Sequence, residues 1–118
     1  MMTRIKRNKI SGRKVKLISP LIAEHAQESL KGIPGWSMSS NGQSIFRDFV
    51  LKDFMSAIHL IGHIALIAEE KDHHPDVHLT NYRQLRVELS THTAGGLTGN
   101  DFIEAELINK LPMELKGK

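Results

Sequence analysis

A chain of 118 residues without a single cysteine is sized for one domain, and that domain holds no disulfide, thiol nucleophile or thiolate metal site. Its net charge of +3 is gathered at one end: seven of sixteen basic residues, Arg4, Lys6, Arg7, Lys9, Arg13, Lys14 and Lys16, precede any acid, and the remaining nine face thirteen acids, a balance of −4. The basic character therefore belongs to a tail, which argues against a nucleic-acid-binding face on the body, and no apolar run nears the roughly 18 residues of a membrane span.

Residues 1–18 are set apart as a basic extension, 19–113 as the domain and 114–118 as a C-terminal tail. The extension is read as solvated, with phosphate contact or an organelle transit peptide as the functional alternatives. The expected setting is the cytoplasm, or an organelle in the transit-peptide case. Ser19 suits an N-cap with Pro20 at the first helical position, Leu21, Ile22, Ala26 and Leu30 form an apolar stripe, and Gly32 suits the end. These signals predict a helix over 20–31. Ile33-Pro34-Gly35 breaks the chain, 36–38 is a short strand, and Ser39-Ser40-Asn41-Gly42 carries the Asn-Gly signal of a tight hairpin. On the return strand a period of two brings Ile45, Phe49 and Leu51 to one face, with Arg47 as its polar exception.

The longest and most apolar element is a helix over 53–71. Phe54, Ile58, Ile61, Ala65 and Ala68 recur at helical steps and predict the stripe that covers the sheet. Met55, Leu60, Ile64 and Ile67 leave apolar surface in excess, for which a second copy of the chain is the expected cover. Further on, Tyr82 is read as a packing residue of a strand in which Leu85, Val87 and Leu89 alternate with polar residues, ending near Thr91-His92. Gly95-Gly96 turns the chain. Thr98 with Asp101 three residues later forms a capping-box pattern opening a helix over 99–111, with Phe102, Ala105, Ile108 and Leu111 apolar and Pro112 as its stop. Three helices between strand pairs predict an α+β fold, an antiparallel sheet with helices on one face.

Between positions 69 and 101 lie Glu69, His73-His74-Pro75, Tyr82, His92 and Asp101. Imidazoles that titrate near neutrality are suited to moving protons, so this stretch is read as a proton-transfer site. Pro75 disfavours helix at His74 and makes the pair extended, so that His73 and His74 point apart, toward two sides of a cleft. A zinc site is the rival reading, since His73, His74, His78 and His92 supply imidazoles and His59 and His63 stand at i, i+4. His59 and His63 lack the glutamate of the His-Glu-x-x-His pattern and are read as packing or interface residues, His78 as a surface-loop residue, and no metal is expected. Asp101 has a capping role available whether or not it joins the chemistry.

The run Glu69-Glu70-Lys71-Asp72-His73-His74-Pro75, then Tyr82, Thr91-His92, Gly95-Gly96-Leu97-Thr98 and Asp101, resembles the pterin-4a-carbinolamine dehydratase family. Gly35-Trp36 and the Phe49-x-Leu51-x-Asp53-Phe54 entry to the long helix share the likeness, which spans about residues 20–112. The resemblance implies a single-layer, four-stranded antiparallel sheet with three helices packed on one face, assembled as a homodimer or homotetramer. It implies dehydration of a 4a-hydroxytetrahydropterin to the quinonoid dihydropterin, in tetrahydrobiopterin recycling after aromatic amino-acid hydroxylation, with no cofactor and with a hydroxylase as a partner. On the matching positions it implies His73 and His92 as general acids and bases, His74 as holder of the pterin, and Glu69 and Asp101 as supports for the imidazoles. Substrate contacts are expected from His74, Pro75, Val77 and His78. Val77 stands where many members carry an aromatic residue. The family also implies scaffold and transcriptional-cofactor roles through the long helix, the alternative to catalysis.

Overall fold

The computed structural model describes residues 23–117. The expected helix start at Ser19 and Pro20 and the basic stretch 1–18 lie outside them. Helix α1 covers Ala23–Leu30 and buries Ala26. Gly35 then turns the chain with φ of 91°, and a Cβ there would lie 2.8 Å from the Arg47 side chain, so both the backbone and the packing require glycine. Strands β1, Ser37–Met38, and β2, Ile45–Val50, form the antiparallel pair that the Asn-Gly turn called for.

Helix α2, Phe54–Lys71, opens on Asp53, whose carboxylate accepts the Ser56 N–H at 2.8 Å. After it come β3, Asp76–Thr80, and β4, Gln84–Leu89, then a 3-10 turn at His92–Ala94 and helix α3, Gly99–Asn109. The sheet order is β1-β2-β4-β3, antiparallel throughout. Register sets Ile45, Arg47 and Phe49 against Leu89, Val87 and Leu85 on the face that the three helices cover. The core lies between these layers and includes Ile45, Phe49, Leu60, Ile64, Val87 and Ile108, all nearly inaccessible. The α+β architecture with a single antiparallel sheet is thus the one the sequence pointed to.

Arg47 sits on the buried face and is satisfied there. Its Nη1 donates to Asn109 Oδ1 at 2.6 Å, and its guanidinium lies 4.4 Å from the centre of the Phe49 ring. Trp36 Nε1 donates to the same oxygen at 2.8 Å, and Asn109 Nδ2 donates to the Pro34 carbonyl at 3.0 Å. One amide side chain on α3 therefore ties the turn before β1 to the middle of β2. Burial lowers the affinity of Arg47 for its proton without removing its charge.

Three expectations need correction. The buried stripe of α2 runs through Ala57, Leu60, Ile64 and Ala68, whereas Phe54, Ile58 and Ala65 are exposed. A helix apolar on most sides offers several helical stripes, and contact with the sheet and α3 selects the one with small residues toward its ends. Residues 76–80, read as loop at His78, form an edge strand. Tyr82 does not pack in a strand: with Asn81 it takes left-handed φ values of 47° and 57° in the turn between β3 and β4, and its side chain is exposed under the Arg83 guanidinium. Apart from these, residues 114–116 run beside the end of β2, with Lys52 N–H donating to Glu114 O and Lys116 N–H to Val50 O, both at 2.8 Å. No helix of the described residues is long and apolar enough to cross a membrane.

Candidate active site

The end of α2 places the first two histidines. Asp72 adopts a left-handed conformation with φ of 52°, and the N–H of His73 reaches back to Ala68 O at 3.1 Å while that of Asp72 reaches Glu69 O at 3.4 Å. This six-to-one plus five-to-two pattern is a Schellman ending, here with aspartate in the position usually held by glycine. It stops the helix and sends the chain across the end of α3. Pro75 follows and β3 begins at Asp76, which gives the extended course expected for His74.

The two rings diverge, each onto its own carboxylate. His73 Nε2 lies 2.6 Å from Asp101 Oδ1, and His74 Nε2 lies 2.6 Å from Glu69 Oε2. A carboxylate only accepts, so the ring N–H donates in each pair and Nδ1 is the nitrogen left for other partners. The settings differ sharply. The His73 side chain is 15 % exposed over a fully buried Asp101, whereas His74 and Glu69 are 56 % and 76 % exposed. The Glu69 hydrogen bond raises the His74 pKa above the ordinary 6.5.

Asp101 is held from three directions. Its Oδ2 accepts the Thr98 N–H at 2.9 Å, closing the capping box of α3, and the Thr91 hydroxyl at 2.8 Å. The Thr98 Oγ lies a further 2.8 Å from that of Thr91. With one oxygen committed to the cap and Thr91, the other is aimed at His73. The capping role and the histidine-orienting geometry thus coexist in one side chain.

His92 stands apart. It follows Thr91 on the 3-10 turn, is exposed, and makes no hydrogen bond to His73 or His74. It borders a cleft of about 260 Å³ with Ser44, Glu88 and Gly96, whereas His74, Pro75 and Val77 line another of about 180 Å³ against the α2 residues Ile61, Ala65 and Glu69. The Thr91–Asp101 contact connects the neighbourhood of His92 to the His73 pair. His78 is carried to the opposite face of the sheet by strand alternation, facing Arg86 beside a separate concavity of about 460 Å³, away from His74. His59 and His63 lie on α2, His59 exposed and His63 half-buried. Among the described residues no three or more histidines and carboxylates are grouped to hold a metal ion.

Sequence reasoning passed over Glu104, wholly buried on α3 one turn after Asp101, and Thr91 as a partner of that aspartate. A signal for Glu104 was present, since it falls at i+3 from Asp101 and i−4 from Ile108, on the stripe otherwise given to the core.

Known proteins match along the same stretch. The profile of the pterin 4 alpha carbinolamine dehydratase family matches residues 19–111. A mitochondrial pterin-4-alpha-carbinolamine dehydratase 2 of Arabidopsis thaliana is 35 % identical over 101 residues, which is 84 % of this chain and 54 % of that protein. A putative pterin-4-alpha-carbinolamine dehydratase of Rhodopseudomonas palustris (strain BisB18) is 37 % identical over 99 residues, 84 % of this chain and 97 % of its own length. Among solved structures, a transcriptional coactivator/pterin dehydratase from Brucella melitensis superposes with a TM-score of 0.73 at 33 % identity, covering 77 % of this chain and 96 % of that one. With the family profile matched over residues 19–111, a relative 37 % identical over 84 % of this chain and a solved relative sharing the fold, the chain belongs to the pterin 4 alpha carbinolamine dehydratase family.

Proposed function

We propose that this chain is a hydro-lyase that dehydrates a 4a-hydroxytetrahydropterin to the quinonoid dihydropterin and water. Beyond family membership, the observation that carries the reading is the His73–Asp101 pair, a nearly buried imidazole held at 2.6 Å by a fully buried carboxylate. The reaction has two proton movements, one onto the departing C4a hydroxyl and one away from N5. His73, with Nε2 fixed by Asp101, presents Nδ1 for one of them, and His92 serves the other. His74, steadied by Glu69 and raised in proton affinity, holds the pterin edge beside Pro75 and Val77. His78, on the far face of the sheet, has no part in this reading within one copy of the chain.

The physiological role that follows is recycling of a tetrahydropterin oxidised by a hydroxylase. The assay is stopped-flow dehydration of a 4a-hydroxytetrahydropterin by the wild type and by His73→Ala, His74→Ala and His92→Ala. Loss of roughly 10²–10⁴-fold at a proton-transferring position is expected. Wild-type rates in all three folded variants would sink the assignment.

A second reading is favoured by one surface. Phe54, Met55, Ile58 and Leu66, 41–70 % exposed, form an uncovered apolar side of α2, and the Brucella melitensis relative is described as a transcriptional coactivator as well as a dehydratase. A homodimer or homotetramer would cover this surface, and so would the helix of a foreign partner. Stoichiometric co-purification with another protein, together with weak pterin binding, would move the assignment to an assembly module.

A further inference from the structure

Among the described residues Glu104 is the buried acid that the proton movements above leave unused. It is 1 % exposed, and neither carboxyl oxygen has a hydrogen-bond partner. It lies one turn beyond Asp101 on α3, among Phe102, Ala105 and Ile108, which are all buried. An ionised carboxyl in such a place lacks both water and donors, so the neutral acid is the form that fits. An apolar side chain of similar volume would fill the same space without that cost, so packing gives no reason for an acid here.

The charged groups around Glu104 come from each adjoining element. They are His73 and His74 from the segment after α2, Lys71 from the last turn of α2, and Asp101 from α3 itself. Burial pushes the Glu104 carboxyl above the usual carboxylate range. His73 pulls it back most strongly, Asp101 pushes it further up, and His74 and Lys71 pull it down. Three positions along α3, Glu104 stands on the same helix face as Asp101, whose carboxylate holds His73.

We propose that Glu104 is a positioning residue of the candidate site, a proton store beside the His73–Asp101 pair that is neutral when His73 is neutral and ionised when His73 is charged. The proposal rests on the dehydratase reading for its purpose, though not for its test. In the exchange the carboxyl O–H bond breaks and an N–H bond forms at His73 Nδ1 through one bridging water, since neither Glu104 oxygen bonds to the ring itself. It leaves carboxylate and imidazolium, and the reverse transfer restores both neutral forms. No other reactant is consumed. The consequence is a second source for the proton that the departing hydroxyl takes by way of His73.

The test uses the full chain and two variants, E104Q and E104L. Carbon-13 NMR would follow the Glu104 carboxyl and the His73 ring against pH. The expected result is a Glu104 midpoint above the ordinary 4.5, with a step at the same pH in the His73 signals that both variants lose. A midpoint at the ordinary value, or a His73 curve unchanged in the variants, overturns the proposal. In the dehydration assay the alkaline limb of kcat/KM should move to lower pH by about one unit in both variants, a tenfold loss at the alkaline end. Superimposable limbs also overturn it. The apolar variant keeps the test available if the amide disturbs folding. Because the NMR titration involves no turnover, an inactive chain defeats the dehydratase reading while the Glu104 titration is still judged on its own result.

Discussion

Replacing Asp101 by Asn separates orientation of His73 from mere occupancy of the space. The carboxylate accepts three hydrogen bonds, from His73 Nε2 at 2.6 Å, Thr91 Oγ1 at 2.8 Å and Thr98 N at 2.9 Å. Asparagine has the same shape, and its single oxygen can still serve Thr98 and Thr91. Its amide NH₂ then faces His73, so Nε2 must accept and the ring hydrogen moves to Nδ1. The nitrogen free for substrate changes from acceptor to donor. In a serine-protease triad the corresponding Asp→Asn change costs about 10⁴ in kcat for this reason. In a site that also has His92 and His74, a loss of roughly 10²–10⁴-fold is expected. Exchanging charge-assisted bonds for neutral ones should lower stability by about 1–3 kcal/mol. Stopped-flow dehydration gives the first quantity and urea denaturation the second. Thr98→Ala is the control, because it removes the cap at about 1 kcal/mol while leaving the His73 partner in place. If Asp101→Asn lowers stability as Thr98→Ala does but keeps the wild-type kcat, Asp101 is a helix cap and no more.

Other expectations follow from single contacts. Asn109→Ala strips the acceptor from Trp36 and Arg47 and the donor from Pro34 O, and a loss of about 2–4 kcal/mol in urea unfolding is expected with little change in kcat. Glu69→Gln tests the linkage at His74. A histidine with its folded pKa raised above 6.5 contributes stability that is present below 6.5 and lost as pH rises through the folded value, so the variant should be less stable than wild type in acid and equal to it in alkali. Equal thermal midpoints at both ends would remove the pairing. Ile58→Glu with Leu66→Glu, both on the exposed side of α2, should lower the sedimenting mass to that of one chain without loss of helical signal if copies of the chain cover that surface.

The sheet and helices were legible wherever one periodicity dominated. Leu85, Val87 and Leu89 alternate cleanly because β4 is an inner strand with one face on the helices and one on solvent. The Thr98–Asp101 box was readable because capping is local chemistry, fixed by residues three apart. What failed was the choice among equivalents. In α2 apolar residues occur on nearly every side, and only the neighbouring sheet and α3 decide that Leu60 and Ile64 go inside while Phe54 and Ile58 stay out. β3 was missed because an edge strand has one partner, and Val77 and Leu79 are its only apolar positions. The pairing of β2 with β4 across the intervening helix is likewise not a local property, since it depends on how α2 lies over both strands.

The site follows the same division. The divergence of His73 and His74 could be read from Pro75 and extended backbone, because it is a consequence of local geometry. Glu69 and Asp101 were named as supports by resemblance, but which acid serves which ring could not be read, because Asp101 reaches His73 from another element, 28 positions along the chain. That long-range contact depends on a local one. The capping box fixes where the Asp101 carboxylate points, with Oδ2 held by Thr98 and Thr91, and the Schellman ending of α2 fixes where His73 emerges. Two helix-terminus motifs, each explained by unsatisfied backbone groups, thereby deliver an imidazole and a carboxylate to within 2.6 Å of one another. Thr91 is the position at which the two roles of Asp101 come apart. Thr91→Val deletes one donor to Oδ2 and leaves the backbone cap intact, so helix α3 keeps its start while the carboxylate gains freedom to rotate away from His73.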